Sequence, residues 1–441
     1  MEQYEVLLIG LKVIWGFFVF ALGACIGSLT NVIVYRTPLG ISIVTPPSRC
    51  PKCDTRLGLR DNIPIFGWLF LRGRCRYCKN PISPEYPIVE LCVALLFTLF
   101  YIVWYVLPPN FTFVGVQWGA MRPVWAMNDA TQTWPTFVVF LTLLGALVAM
   151  TIVDAKTFTI PLRVMWVPPI VAVLVHPIHA ALISPPYRAA GDWHWAIPTP
   201  DRTNWPLVWA SIGAILGLGL ANLLLHFKFI RRSFADYADW EQQHLAAAAP
   251  DTVVTAGAPG SAGTPELWMV YPHARREMVL ELAFLGPCLG LGLLGWYFGQ
   301  WWATPPPPTA PGVLSLVSVA PLWLTVLSGV LLGYLIGGGL VWAVRILGSL
   351  GFGKEAMGLG DVHLMAAVGA SVGYINSSLA FFGAAFVGLA WTILALASRG
   401  KVRRMMPYGP FLAVATVMVL LARPLIEQGL SVMLRHPVQI P

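Results

Sequence analysis

Two aspartates and two cysteine pairs are the residues of this chain whose types and spacing could do chemistry. Asp361 closes the stretch Glu355-Ala-Met-Gly-Leu-Gly-Asp361, and an apolar run, 362–372, follows at once. Asp154 sits in Met150-Thr-Ile-Val-Asp-Ala-Lys-Thr-Phe-Thr-Ile-Pro161, at the end of another apolar run, with 206 residues between the two acids. An acid at the edge of a membrane segment is costly enough to need a reason. Two carboxylates held close cannot both ionise comfortably, so they share a proton and can activate water while protonating a leaving group. That is aspartic-protease chemistry, without a metal or a covalent intermediate. Gly358 and Gly360 would let the backbone bend and an extended substrate come close to Asp361. Plainer readings stand beside these: a helix N-cap for Asp361, and a solvated helix-end acid near Lys156 for Asp154.

Cys50-Pro-Lys-Cys53 and Cys75-Arg-Tyr-Cys78 form a C-x2-C, 21-residue, C-x2-C pattern. Two tight turns can each present two sulfurs to one tetrahedral ion, which suits structural zinc in a closed site. Folding of so small a loop would be driven largely by the metal. The competing reading is two disulfides, which a reducing cytoplasm and the basic flank disfavour. Cys25, Cys92 and Cys288 lie inside apolar runs, where a free cysteine is a small hydrophobe.

The elements that must position these groups are membrane helices. Of 441 residues 57% are hydrophobic and 11% charged, the composition of a polytopic membrane protein. The net charge of +8 gathers in a few loops, so the positive-inside rule accounts for it and no nucleic acid is implied. Met1-Glu-Gln-Tyr-Glu5 lacks the basic region of a cleavable signal peptide, so the first span is expected to be retained.

Apolar runs at 7–34, 88–107, 136–153, 161–183, 207–227, 278–298, 321–344, 362–374, 377–397 and 411–426 predict an all-α fold of about ten transmembrane helices. The loop at 36–87 is strongly basic between Arg49 and Lys79, which places it in the cytoplasm and the N-terminus outside. Lys228-Phe-Ile-Arg-Arg232, His273-Ala-Arg-Arg276 and Ser398-Arg-Gly-Lys-Val-Arg-Arg404 fall on the same face, as do Asp154 and Asp361. Residues 246–265, rich in Ala, Gly, Pro and Thr, read as a flexible linker.

Several motifs resemble one family, the bacterial type IV prepilin peptidases, also called leader peptidase/N-methyltransferases. They are Gly27-Ser-Leu-Thr-Asn-Val-Ile-Val-Tyr-Arg36, Ser48-Arg-Cys-Pro-Lys-Cys53, Asp61-Asn-Ile-Pro-Ile-Phe-Gly-Trp68, Leu71-Arg-Gly-Arg-Cys-Arg-Tyr-Cys78, Ile82-Ser83 and Tyr86-Pro-Ile-Val-Glu90 in the front half. In the back half they are Glu355 to Asp361 and Pro407-Tyr-Gly-Pro-Phe-Leu-Ala413. The resemblance implies an inner-membrane Gly-x-Gly-Asp protease that removes the basic leader of prepilin or pseudopilin precursors at the cytoplasmic face. Asp154 and Asp361 match the two catalytic acids. The resemblance further implies methylation of the new N-terminus from S-adenosylmethionine, with the cysteine loop in that half and Glu90 as a methyltransferase candidate. A capping or topology role for Glu90 stands beside it.

The expected organisation is an N-terminal methyltransferase part at 1–107 with the zinc loop at 36–87, and a peptidase part at 135–205 carrying Asp154. An insertion at 206–312 contains a linker at 233–277; the Gly-Leu-Gly-Asp part follows at 313–427, then a tail at 428–441. Three features depart from the family pattern. Leu162 replaces the usual acid after the proline of the first aspartate motif, and His363 the usual lysine two residues past the second aspartate. His363 reads either as a titratable group that moves the pH optimum or as an exposed helix-face residue. The insertion adds two spans to the usual eight and is expected to loop out sideways so that the aspartates can meet. Two other functions remain open: a presenilin-like intramembrane aspartyl protease, and a non-catalytic membrane scaffold that uses the zinc loop to bind partners.

Overall fold

Each of the ten apolar runs is helical. The computed structural model describes residues 2–127, 130–183, 195–237, 239–240, 242–243, 271–303, 319–399, 407–438 and 440. The linker at 246–265 and the basic stop at 400–404 lie outside the described residues. The helices are α1 (Glu2–Arg36), α2 (Phe66–Phe70), α3 (Glu85–Tyr101), α4 (Ala130–Thr157), α5 (Leu162–Met165), α6 (Val167–Leu182), α7 (Trp205–His226), α8 (Ala274–Ala303), α9 (Leu322–Phe352), α10 (Leu359–Val372), α11 (Tyr374–Arg399), α12 (Gly409–Leu421) and α13 (Arg423–Leu434). A two-stranded hairpin pairs Thr112–Phe113 with Val116–Gln117.

Among the described residues eight helices are long and apolar enough to cross a membrane. The α12–α13 pair, bent by 84°, makes a ninth if it counts as one span. The tenth run, read as a short outward helix, is α10. Its 14 residues reach ~21 Å, short of the ~30 Å hydrocarbon core. The fold is a multi-pass membrane protein in which one apolar helix is enclosed by protein instead of lipid.

That enclosure organises the molecule. α10 packs against α9, α6, α11, α4 and α12, and from Asp361 to Val372 every residue except His363 is buried. α4 is the other central helix: 72% of its apolar window is buried, against 17% in α8. Aromatic rings lock α3 to α4, with Phe100 and Phe140 centroids 4.6 Å apart. Outward faces, such as Leu289, Leu293 and Tyr297 of α8, stay exposed, which fits lipid as the solvent.

The two helices read as an insertion sit at the side of the fold, only 22% and 17% of their apolar windows buried. α7 and α8 form a tight antiparallel hairpin that packs on α9. A Cβ added at Gly213, Gly217 or Gly295 would come within 2.2 Å of a backbone carbonyl oxygen on the facing helix. Without a hydrophobic force between helices in lipid, small residues that permit such contact are what hold a pair together.

Candidate active site and metal centre

Asp154 occupies the last turn of α4 and is 5% exposed. The chain then turns through Pro161 into α5, where Leu162 points outward and is 41% exposed. The backbone N–H of Gly409, at the first position of α12, donates to the Asp154 carboxylate. A helix N-terminus offers unpaired N–H groups and a positive dipole end, which suit a carboxylate. A Cβ at Gly409 would lie 2.6 Å from Asp154 Oδ2, so glycine is what lets the helix end reach the acid.

Asp361 is not an N-cap. Gly358 caps α10 in extended conformation (φ −69°, ψ 144°), and Asp361 is the third helical residue, with its carboxylate accepting from the Gly358 N–H. Neither Gly358 nor Gly360 has positive φ. Gly360 is instead packed on the chain itself: a Cβ there would fall 2.8 Å from Ile160 Cβ. This contact draws the segment after Asp154 onto the start of α10. The two acids are close enough for the charge of Asp154 to act on Asp361. Tyr408, which caps α12, lies within reach of the Asp361 charge as well. The Pro407-to-Ala413 motif therefore attends both aspartates.

Asp361 opens onto a cavity of about 2380 Å³ whose walls come from α6, α7, α8, α9, α10 and α11. Its lining is mostly apolar, and Trp166, Tyr334, Glu281 and His363 line it as Asp361 does. His363 is half-buried, with its ring centroid 6.1 Å from that of Trp166; it is not an exposed helix-face residue.

The four cysteine sulfurs lie within 4.8 Å of one another, close enough to hold one metal ion, and Cys50 and Cys78 Sγ are 3.8 Å apart. The two pairs build matching turns. The Cys50 N–H donates to the Thr55 carbonyl and the Asp54 N–H to Cys50; the Cys75 N–H donates to Asn80 and the Lys79 N–H to Cys75. The residue after each second cysteine, Asp54 or Lys79, has positive φ, of 52° and 59°. The cysteines are unpaired as disulfides. Hydrogen bonding from Thr55 pushes the Cys53 thiol down to about 6, and backbone N–H bonds from Cys78 hold Cys75 low, whereas burial pushes Cys50 up. Two thiols whose surroundings favour the thiolate, in a four-sulfur cluster, fit a tetrahedral metal.

Glu90 is 8% exposed in α3, and its carboxylate accepts the Ile65 N–H at 2.6 Å. It also engages Ser28 and Asn31. Ile65 holds an unusual backbone conformation (φ 63°, ψ −58°) at the start of α2, and Glu90 ties that turn to α1 and α3.

The front half of the chain, residues 21–104, matches the family model described as the bacterial peptidase A24 N-terminal domain. Residues 305–393 match the model of the type IV leader peptidase family. In these two stretches the chain is similar to the type IV leader peptidase family. The two matched stretches hold the four cysteines, Glu90 and Asp361, and Asp154 lies between them. Curated relatives named prepilin leader peptidase/N-methyltransferase include one from Myxococcus xanthus, 55% identical over 80 residues, covering 18% of this chain and 24% of the relative. One from Klebsiella pneumoniae is 43% identical over 108 residues, with 23% and 46% covered. One from Pectobacterium carotovorum is 32% identical over 170 residues, with 33% and 51% covered. The chain thus spans from about a quarter to about half of the length of these relatives. No solved structure matches. The apolar helices, together with the matched family models, make this a multi-pass membrane protein.

Residue types alone did not single out Gly409 or Ile160, which act through backbone and shape. The Pro407-to-Ala413 motif match was the one signal that pointed at Gly409.

Proposed function

We propose that this protein is a prepilin leader peptidase. It removes the basic leader from prepilin or pseudopilin precursors by aspartate-dyad hydrolysis at the cytoplasmic face, with the N-terminus outside. The observation that carries the proposal is the meeting of Asp154 and Asp361 at the ends of two buried helices, with Asp361 on the wall of a large cavity. In this reading one acid, ionised, takes a proton from water as it attacks the scissile carbonyl. The other, protonated, donates to the carbonyl oxygen; as the tetrahedral intermediate collapses, the first acid passes its proton to the leaving amine and the second takes one back from the hydroxyl, so the pair again shares one proton. The Gly409 N–H holds Asp154 in place, and the Gly358 N–H does so for Asp361. The basic leader is drawn to the inner face, and the apolar helix behind it shares the bilayer with the enzyme.

Zinc is the metal we assign to Cys50, Cys53, Cys75 and Cys78. Four thiolates leave no open position, so the ion would cross-link the loop at 36–87 and take no part in hydrolysis. Methylation of the new N-terminus is part of the proposal, supported by the names of the relatives and by the matched N-terminal domain. Glu90 enters it as a positioning residue for the loop. Residues 206–312 are proposed as an insertion that splits the peptidase part.

Incubation with a prepilin in detergent, read by mass, is the test. Loss of the leader supports the reading, and one further methyl mass on the mature N-terminus supports methylation. Cleavage within the apolar helix would point to an intramembrane protease, and an unchanged mass would remove the enzyme reading.

A further inference from the structure

The inserted hairpin reaches the aspartate loop through a buried ion pair. Glu281, on α8, is 3% exposed, and Arg345, on α9, is 2% exposed. Arg345 donates from Nε to both carboxylate oxygens of Glu281, at 3.1 and 3.0 Å, and from Nη2 to Oε1 at 2.9 Å. The Trp342 indole N–H donates to the same carboxylate at 2.7 Å. The remaining nitrogen, Nη1, donates to the Glu355 carboxylate and the Met357 carbonyl. Those two residues belong to the loop that ends at Gly358 and Asp361. The guanidinium plane is thus filled on one edge by the insertion and on the other by the loop that presents Asp361.

Two more contacts close the joint. The Phe234 ring, from the segment after α7, lies 5.4 Å from the guanidinium carbon, and the Phe234 N–H donates to Glu277 Oε2 at 2.6 Å. Arg275, at the start of α8, donates from Nε to the Leu350 carbonyl at 3.0 Å, at the C-terminal end of α9. Burying a charged pair is costly, and most such pairs add little net stability over an apolar alternative. What a forked, fully used guanidinium supplies is fixed geometry. The Ala356 N–H of the loop also donates to Ser349 Oγ of α9, at 2.9 Å.

We propose that the inserted hairpin is a working part of the active site: Glu281 orients Arg345, and Arg345 holds the 355–357 loop so that Asp361 faces Asp154. Glu281 and Arg345 are positioning residues, and the proposal builds on the peptidase reading above. It gives the insertion a role inside the enzyme and not at an external docking surface.

The test pairs leader cleavage with amide hydrogen exchange on the full-length protein in detergent. In Glu281→Gln, kcat falls about 10- to 100-fold with KM little changed, because misplacing a reacting group by up to about 1 Å costs on that order. Exchange rises in peptides covering 353–358. Arg345→Gln does the same, and the double variant is no worse than either single one, since both remove one unit. If Glu281→Gln fails to fold, Trp342→Phe removes only the indole donor and shifts both readouts in the same direction by less. Wild-type kcat together with unchanged exchange at 353–358, in whichever variant folds, overturns the proposal. A wild-type protein that does not cleave prepilin, but whose 353–358 exchange still responds to Glu281→Gln, sinks the peptidase reading and leaves the hairpin joint standing.

Discussion

The backbone N–H of Gly409 donates to Asp154, and any side chain at Gly409 would collide with that carboxylate, 2.6 Å from a Cβ. The start of α12 therefore serves as a seat for the acid. Gly409→Ala must move either the helix or Asp154. We expect leader cleavage to fall by about 10²-fold, with the protein still extracted and folded in detergent. A substituted protein with the wild-type rate would show that Asp154 needs no such seat.

Replacing either acid by its amide should abolish cleavage. Asp154→Asn and Asp361→Asn are near-isosteric, so protein level and thermal unfolding should stay close to wild type. The double variant should be no slower than each single one, because the residues act as a unit. Substantial turnover in either single variant would dissolve the dyad.

One zinc per chain is expected by elemental analysis of purified protein. Cys53→Ser and Cys75→Ser should each lose the metal, since a three-sulfur remnant binds much more weakly. Arg56, Arg60, Arg72 and Arg74 are exposed near the two turns, and chelation should loosen their backbone and speed tryptic cleavage there. Protection that survives complete metal removal would mean that the loop folds without the ion.

Glu90 separates two roles by one atom. Glu90→Gln keeps a carbonyl oxygen for the Ile65 N–H, so the fold and leader cleavage should persist. Glu90→Ala leaves that buried donor unpaired and should destabilise the protein by about 1–3 kcal/mol, read by thermal unfolding. If Glu90→Gln folds normally and cleaves normally but no longer methylates, the residue has a chemical role beyond the strut.

Cleavage should also tolerate restoring the usual residue at 363. His363 is half-buried beside Trp166 on the cavity that Asp361 lines, and His363→Lys places a permanent charge there. The pH–rate profile should shift while the peak rate stays within about tenfold, the scale of a modest electrostatic change of ~1.4 kcal/mol. An unchanged profile would return His363 to a packing role.

Much was legible in the residues alone, and each part for a physical reason. Long apolar runs must be helices in lipid, because every backbone group needs an internal partner there. All ten runs were visible for that reason. The cysteine cluster was visible because two C-x2-C turns carry their geometry locally, and the structure brings all four sulfurs together. Asp154 and Asp361 were named from charge in apolar surroundings. Their meeting was decided by the tertiary structure, through contacts that leave no mark in composition: Gly360 against Ile160, and Gly409 against Asp154. Hydropathy could not distinguish α10 from a span, since being enclosed by protein and being dissolved in lipid call for the same residues. Nor could it place the α7–α8 hairpin, whose hold on the aspartate loop depends on Glu281 and Arg345, 64 residues apart and paired only when α8 packs on α9.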